Sequence, residues 1–270
     1  MLKDITIGQY FPGDSPLHRL DPRVKLLLAT AYVVLLFMVK NPIGMLVGIF
    51  FLLFTYPLGK IPLNMIGKSL KPVIPVVLFT AILNMFFVTG EPVLDWWFIT
   101  ITREGISTAV LMSVRIICLI AGTSLMTYTT SPIALTDAIE RLFSPLKRLK
   151  VPVHEVAMMM TIALRFIPTL LEETDKIMSA QKARGADLES GGLIKRAKAL
   201  MPILIPLFVS AFRRADELAM AMECRCYQGG EGRTRMKQLH LSFRDLVAAA
   251  FMIACIFAVI GFNLWAPVLF

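Results

Sequence analysis

The sequence predicts an all-α integral membrane protein with about five transmembrane helices, joined to a cytoplasmic region of one short amphipathic and two long helices. Five stretches are almost free of charge over the roughly 20 residues that a helix needs to cross a bilayer. The composition agrees, since 56% of the 270 residues are hydrophobic. Water is absent from the bilayer core, so each span must satisfy its own backbone as a helix.

The spans follow one another in two groups, four before residue 130 and one at the C-terminal end. The first begins at Asp21-Pro22, where aspartate is predicted as N-cap and proline as the first helical residue. Residues 1–23 contain no apolar run like that of a signal peptide, so we expect this first span to direct insertion. The predicted spans are 24–39, 43–59, 72–90, 105–128 and 246–270.

The distribution of basic residues predicts the orientation of the chain. The 58–71 connection carries three lysines and no acid, whereas the 91–104 connection carries three acids, one arginine and two tryptophans. Residues 129–242 contain seventeen Lys and Arg residues. We therefore expect the N-terminus inside and the C-terminus outside. The predicted division is a membrane region over 1–130, a cytoplasmic region over 131–242 and a fifth span over 243–270.

Three helices are predicted within the cytoplasmic region. The first begins at Ser131-Pro132 and is a basic amphipathic stretch that continues to about residue 150. The second runs over 153–184 and the third over 193–227. Each long helix begins apolar and ends charged, and an apolar run of about 14 residues is too short to span. Prolines inside both long helices predict kinks or breaks.

Each long helix ends in an arginine. An acid stands nine residues before each, Asp175 before Arg184 and Asp216 before Arg225. An arginine in the last turn complements the helix dipole, so an ordinary cap is one interpretation. The similarity of the two helix ends favours a second interpretation, in which each guanidinium pairs with a carboxylate of a partner protein. The predicted docking residues are Ala183, Arg184, Gly185, Cys224, Arg225 and Cys226.

The sequence contains no pattern typical of covalent chemistry. Gly67-Lys68-Ser69 lacks the first glycine and the preceding strand of a phosphate-binding loop. The cysteines and histidines have no metal-ligand spacing, so we expect no catalytic residue, no metal and no cofactor in this chain. Arg115 lies inside the fourth span, and no span contains an acid to pair with it. It is predicted to bind carbonyl groups or Asn84 in a structural role, or to contact a membrane partner.

Three stretches resemble the transmembrane T component of energy-coupling factor (ECF) transporters, the ABC-type uptake systems for vitamins and trace metals. They are "YFPGDSPLHRLDPRVK", "ALRFIPTLLEETDKIMSAQKARGAD" and "PLFVSAFRRADELAMAMECRCYQGG". The resemblance covers nearly the whole chain, and the arginine tips are its specific part. By position, residues 183–185 take the first family motif and residues 224–226 the second, which has cysteines where the family has alanine and glycine.

The resemblance implies a non-catalytic coupling subunit in a bacterial cell membrane. Its partners would be two ABC ATPases, which bind ATP and Mg, and one or more small S components, which bind the substrate. The tips would dock on the ATPases and transmit their movement to the S component. A self-sufficient secondary transporter or channel is the alternative, although it would need polar or acidic groups at mid-membrane. Substrate specificity would belong to the S component, and the resemblance to shared T components favours a subunit that serves several S components.

Overall fold

A computed structural model describes residues 10–90, 92–96, 99–186, 192–229 and 238–265. The chain divides into two compact units. The first unit comprises 1–7 and 139–237, and the second, which we call the membrane unit, comprises 8–138 and 238–270. The predicted division into 1–130, 131–242 and 243–270 and the assignment of each region to one side of a membrane stay predictions.

Six α-helices lie wholly within the described part of the membrane unit, five before the central region of the chain and one after it. Each of the five predicted spans corresponds to one of them, with a shift of a few residues at the ends. Residues 266–270 of the last predicted span lie outside the described residues. The helices are α1 (Pro22–Met38), α2 (Pro42–Gly59), α3 (Leu63–Leu70), α4 (Ile74–Phe87), α5 (Arg103–Thr129) and, at the C-terminal end, α9 (Phe243–Trp265).

Among the described residues, five helices are long and apolar enough to cross a membrane, and this set differs from the predicted one. It contains 42–59, 64–87, 103–129, 153–183 and 243–265. The first helix, α1, has 17 residues, at the short end of the range for a span. The helix over 153–183 was predicted as too short in its apolar part. It nevertheless has an 18-residue window of mean hydropathy 1.3, the lowest of the five.

Helices α1 and α5 pack antiparallel in the centre of the membrane unit. The Tyr32 ring of α1 lies against Gly122 of α5, where a Cβ would overlap the ring. The ring also stacks on Phe51 of α2 with centroids 4.9 Å apart, and its hydroxyl donates to the Gly48 carbonyl at 3.1 Å. The glycine at position 122 thus lets a tyrosine, 1% exposed, join three helices.

A short antiparallel hairpin connects α4 to α5, and the sequence did not predict it. Strand β1 (Pro92–Trp96) pairs with β2 (Ile99–Thr102), with Trp96 opposite Ile99. Alternating β-branched residues over 99–102 favour an extended chain, and the next helix begins where the Thr102 hydroxyl accepts from the Gly105 N–H at 3.0 Å. Trp97, the second tryptophan of this connection, lies outside the described residues.

The remaining helices are α6 (Pro132–Leu142), α7 (Val153–Ala183) and α8 (Leu193–Glu223). The predicted cap of α6 is confirmed, since the Ser131 hydroxyl accepts from the Ala134 N–H at 3.3 Å. Its predicted end is wrong. The α-helix stops at Leu142, and residues 144–149 form a 3-10 helix, because Pro145 has no N–H to continue the i→i−4 pattern.

The two long helices continue through their prolines, so the predicted breaks do not occur. Helix α7 contains Pro168, and α8 contains Pro202 and Pro206. A proline leaves the carbonyl four residues earlier without its helical donor. For Pro206 this carbonyl belongs to Pro202, and the side chain of Gln181 donates to it at 3.4 Å. The neighbouring helix thus supplies the missing bond.

Candidate docking tips of two long helices

The end of α7 is a Schellman motif with Arg184 at its turn. The Ala186 N–H donates to the Gln181 carbonyl and the Gly185 N–H to the Lys182 carbonyl, both at 3.0 Å. These are the 6→1 and 5→2 bonds of that motif. Gly185 has φ of +86° and open space where a Cβ would stand, so backbone conformation alone requires the glycine. The Arg184 side chain is exposed.

The end of α8 repeats the same motif around Arg225. The Tyr227 N–H donates to the Met222 carbonyl at 3.1 Å, and the Cys226 N–H donates to the Glu223 carbonyl at 2.8 Å. Cys226 occupies the left-handed position of Gly185, with φ of +54°, which costs a residue with a Cβ about 1–2 kcal/mol. Arg225, Cys224 and Cys226 are all exposed. The cysteine changes the strain of the turn and keeps its geometry.

The two long helices are held together by polar contacts that the sequence did not predict. Glu173 of α7 accepts a hydrogen bond from the Ser210 hydroxyl and another, at 2.7 Å, from Arg214 Nη2. About two helical turns further along α7, the side chain of Gln181 donates to the Pro202 carbonyl of α8. A later residue of α7 therefore contacts an earlier residue of α8, which shows that the two helices run antiparallel. We call these contacts the Glu173 clamp.

Antiparallel packing places the two arginine tips at opposite ends of the helix pair. At about 1.5 Å per residue, Arg184 lies about 16 Å past Glu173 in one direction, and Arg225 lies about 16–22 Å past Ser210 and Arg214 in the other. Their separation is then about 30–40 Å, depending on the crossing angle. The structure does not bring the six predicted docking residues into one site. It forms two alike tips that are far apart.

Arg115 lies level with the C-terminal end of α1. Its Nη2 donates to the Val39 carbonyl at 2.6 Å, and Val39 is the C-cap residue of α1. Of the two predicted kinds of partner, the structure has the carbonyl. Asn84 instead donates to Thr80 of its own helix at 2.8 Å. The guanidinium thus lies at the negative end of the α1 dipole, and a contact with a membrane partner stays a prediction.

A second cation, Lys25, is buried at the opposite end of the same helix pair, and the sequence did not single it out. Its Nζ donates to the Thr129 carbonyl of α5 at 2.8 Å and to the His18 carbonyl at 3.1 Å. Lys25 is only 7% exposed. A lysine inside the N-terminal run "HRLDPRVK" was the available signal, but only the fold shows which carbonyls it meets.

The N-terminal segment is bound to the start of α9 by a pair of aspartates. The predicted cap is confirmed, since Asp21 Oδ1 accepts from the Arg23 N–H at 2.9 Å. The Asp21 N–H itself donates to Asp245 Oδ1 at 2.8 Å, and the other oxygen of Asp245 accepts from the Ser242 N–H at 2.7 Å. One buried carboxylate, 3% exposed, therefore orders the beginnings of two membrane helices.

The exposed part of this segment contains an ion pair. Arg19 donates to both carboxylate oxygens of Asp14, at 2.7 and 2.6 Å. These hydrogen bonds hold the pKa of the Asp14 carboxyl below its usual range. Both side chains are largely exposed, so the pair contributes little to stability. It keeps the loop before α1 compact.

The fold and the tips define a helical membrane protein in which two clamped helices end in exposed arginines. The model of a family described as "Cobalt transport protein" (CbiQ) matches residues 13–236. A relative from Clostridium kluyveri, "Energy-coupling factor transporter transmembrane protein EcfT", is 58% identical over 260 residues, which is 95% of this chain and 96% of the relative. Proteins of the same name from Ruminiclostridium cellulolyticum and Acidaminococcus fermentans are 56% and 53% identical, and the matches cover 92% and 98% of both chains, respectively.

The chain belongs to this family, that of the transmembrane component of energy-coupling factor transporters. The resemblance found in the sequence is thereby confirmed, as is the all-α membrane fold. The roles of the individual residues at the tips and of Arg115 stay predictions.

Proposed function

We propose that this chain is the non-catalytic coupling subunit of an ECF importer. It would connect two ABC ATPase subunits, which bind ATP and Mg, to one or more small membrane S components, which bind a vitamin or trace nutrient. The docking residues would be Ala183, Arg184 and Gly185 at one tip and Cys224, Arg225 and Cys226 at the other. Family membership supports a transporter component, and the tips support the manner of coupling.

The observation that carries the proposal is the repetition of one Schellman motif with an exposed arginine at its turn. A cap alone would not require the same residue type at the same point of two helices. Arginine presents five donors in a fixed fork, which suits a carboxylate in a partner's groove. Two alike tips suit two partner subunits with alike grooves.

The separation of the tips supports a partner pair rather than a single partner. Two arginines about 30–40 Å apart, by helix length, are too distant for one groove. The Glu173 clamp lies between them, so a displacement of one tip is transmitted to the other helix through Ser210 and Arg214. ATP-driven closure of the ATPases would move both tips, and the helices would carry that movement to the S component.

The proposed setting is a bacterial cell membrane, with the N-terminus and the tips in the cytoplasm and the C-terminus outside. The basic 129–242 region and the acidic 91–104 connection support this orientation. In this arrangement the tips meet the ATPases on the side where ATP is present.

The proposal is tested by purifying the tagged chain from its native membrane in mild detergent and identifying the chains that copurify. Two ATPase subunits and small hydrophobic proteins are expected with the unaltered chain. Arg184→Glu and Arg225→Glu should each reduce recovery of the ATPases, and the double variant should abolish it, because each change places a carboxylate against the partner's acid.

Arg213→Glu is the matched control, since Arg213 is also an exposed arginine of α8 and lies about 18 Å before the tip. It makes the same charge change and should leave recovery unaltered. Full recovery of both ATPases with the Arg184→Glu, Arg225→Glu double variant would refute docking through the tips.

A further inference from the structure

A half-open cavity of about 440 Å³ lies within the membrane unit. Its walls come from α1, α2, α5, α9 and the N-terminal residues 16–20. Most of the lining is apolar. Thr55 and Thr129 also line it, but their hydroxyls donate back to their own helices, at 2.7 and 2.9 Å. A cavity of this size and composition is typical of a site for an apolar ligand.

The cavity has a charged end and an aromatic end. Lys25 and Arg244 lie near the beginnings of α1 and α9, which the Asp21–Asp245 hydrogen bond places side by side. Tyr32, Phe51 and Phe251 line the other end, where the two phenylalanine rings stack 5.7 Å apart. Seven or eight residues of helix separate the ends, so the slot is about 10–12 Å long.

One side of the cavity is open along its length. Phe54 of α2 is 48% exposed and Val247 of α9 is 50% exposed, and both residues line it. Both belong to helices that are long and apolar enough to cross a membrane. In a bilayer, such an opening meets lipid acyl chains.

The two charged residues at the charged end of the cavity, Lys25 and Arg244, are both basic. Arg244 is exposed and has no hydrogen bond or ion pair within the described ranges. Lys25 uses two of its three donors on carbonyls, which leaves one. The nearby carboxylates of Asp21 and Asp245 accept from backbone N–H groups and Arg23, and neither residue lines the cavity.

We propose that this cavity binds one acyl chain of an anionic phospholipid, with the lipid phosphate on Arg244. The apolar slot accommodates the chain, and the cationic end selects an acidic headgroup over a zwitterionic one. A basic residue near the membrane surface favours an anionic lipid by about five-fold, so a preference of that size is expected.

Native mass spectrometry of the detergent-purified complex tests the proposal, with added dioleoylphosphatidylglycerol or dioleoylphosphatidylcholine as probes. The unaltered chain should retain one phosphatidylglycerol, with about five-fold preference over phosphatidylcholine. Arg244→Gln should remove the preference. Ala248→Phe, which fills the cavity from α9, should remove the bound lipid of either kind.

Two variants of the same unit serve as matched controls. Arg103→Gln removes an exposed arginine at the far end of α5, and Ala250→Phe adds the same ring on an exposed position of α9 outside the lining. Both should retain lipid like the unaltered chain. Equal retention of the two lipids by the unaltered chain would overturn the proposal. So would Ala248→Phe displacing a partner protein from the complex while leaving the phosphatidylglycerol count unchanged.

Discussion

Arg115 of α5 donates a hydrogen bond of 2.6 Å to the carbonyl of Val39, the C-cap residue of α1. At the other end of the same antiparallel pair, Lys25 of α1 donates to the Thr129 carbonyl of α5 at 2.8 Å. Each helix therefore carries a cation that satisfies the final turn of its neighbour. The cost of placing a charge within an apolar helix is offset where it meets the negative end of another helix dipole.

Arg115→Leu should destabilise the membrane unit by about 2 kcal/mol, because it removes a charged donor from a helix end. The measurement is thermal unfolding of the detergent-purified protein. Arg103→Leu, an exposed arginine of the same helix, is the control and should change little. An Arg115→Leu protein that unfolds at the temperature of the control would show that the bond contributes nothing.

Lys25→Met should also destabilise by about 2 kcal/mol, since two carbonyls lose their donor while the apolar stem is retained. Lys71→Met is the matched control, because Lys71 is exposed and has no hydrogen bond or ion pair within the described ranges. Thermal unfolding distinguishes the two. Equal effects of both substitutions would contradict the assigned role of Lys25.

Cys226→Gly should stabilise the α8 tip by about 0.5–1 kcal/mol, because glycine adopts the left-handed φ without strain. Cys224→Gly should act in the opposite sense, by about 0.5 kcal/mol, since Cys224 has helical backbone angles. Protease protection of the tip in the purified chain measures both. Two changes of the same sign would argue against the Schellman geometry at Arg225.

Glu173→Gln should loosen the α7–α8 pair slightly, because it removes the ion pair with Arg214 and leaves a side chain that can still accept from Ser210. The Arg214 side chain is 39% exposed, so solvent screens the pair and a larger effect is not expected.

A double-mutant cycle with Arg214→Gln, followed by denaturant unfolding, isolates the pair's contribution. A coupling free energy of zero would show that Ser210 alone holds Glu173. The cycle leaves the arginine tips unchanged, so its outcome is independent of docking.

The sequence predicted the helices and the family better than it predicted contacts. Charge-free stretches and caps at Asp21 and Ser131 are local, and they placed the helix starts to within a few residues. The hairpin over 92–102 was not predicted, because the pairing of its two strands is a contact between separate segments of the chain. The early end of α6 was not predicted either, although it has a local cause in Pro145, which lacks the N–H that would continue the helix.

The sequence by itself determined the hydrophobic spans, the two long helices and their arginine ends, because these depend on composition and on neighbours within a few residues. Only the tertiary structure decided which groups meet across the chain. The pairing of Lys25 with Thr129 and of Glu173 with Arg214 depends on helix register and direction. The antiparallel packing that separates Arg184 from Arg225 is of the same kind, since one helix's pattern does not encode which way its neighbour runs.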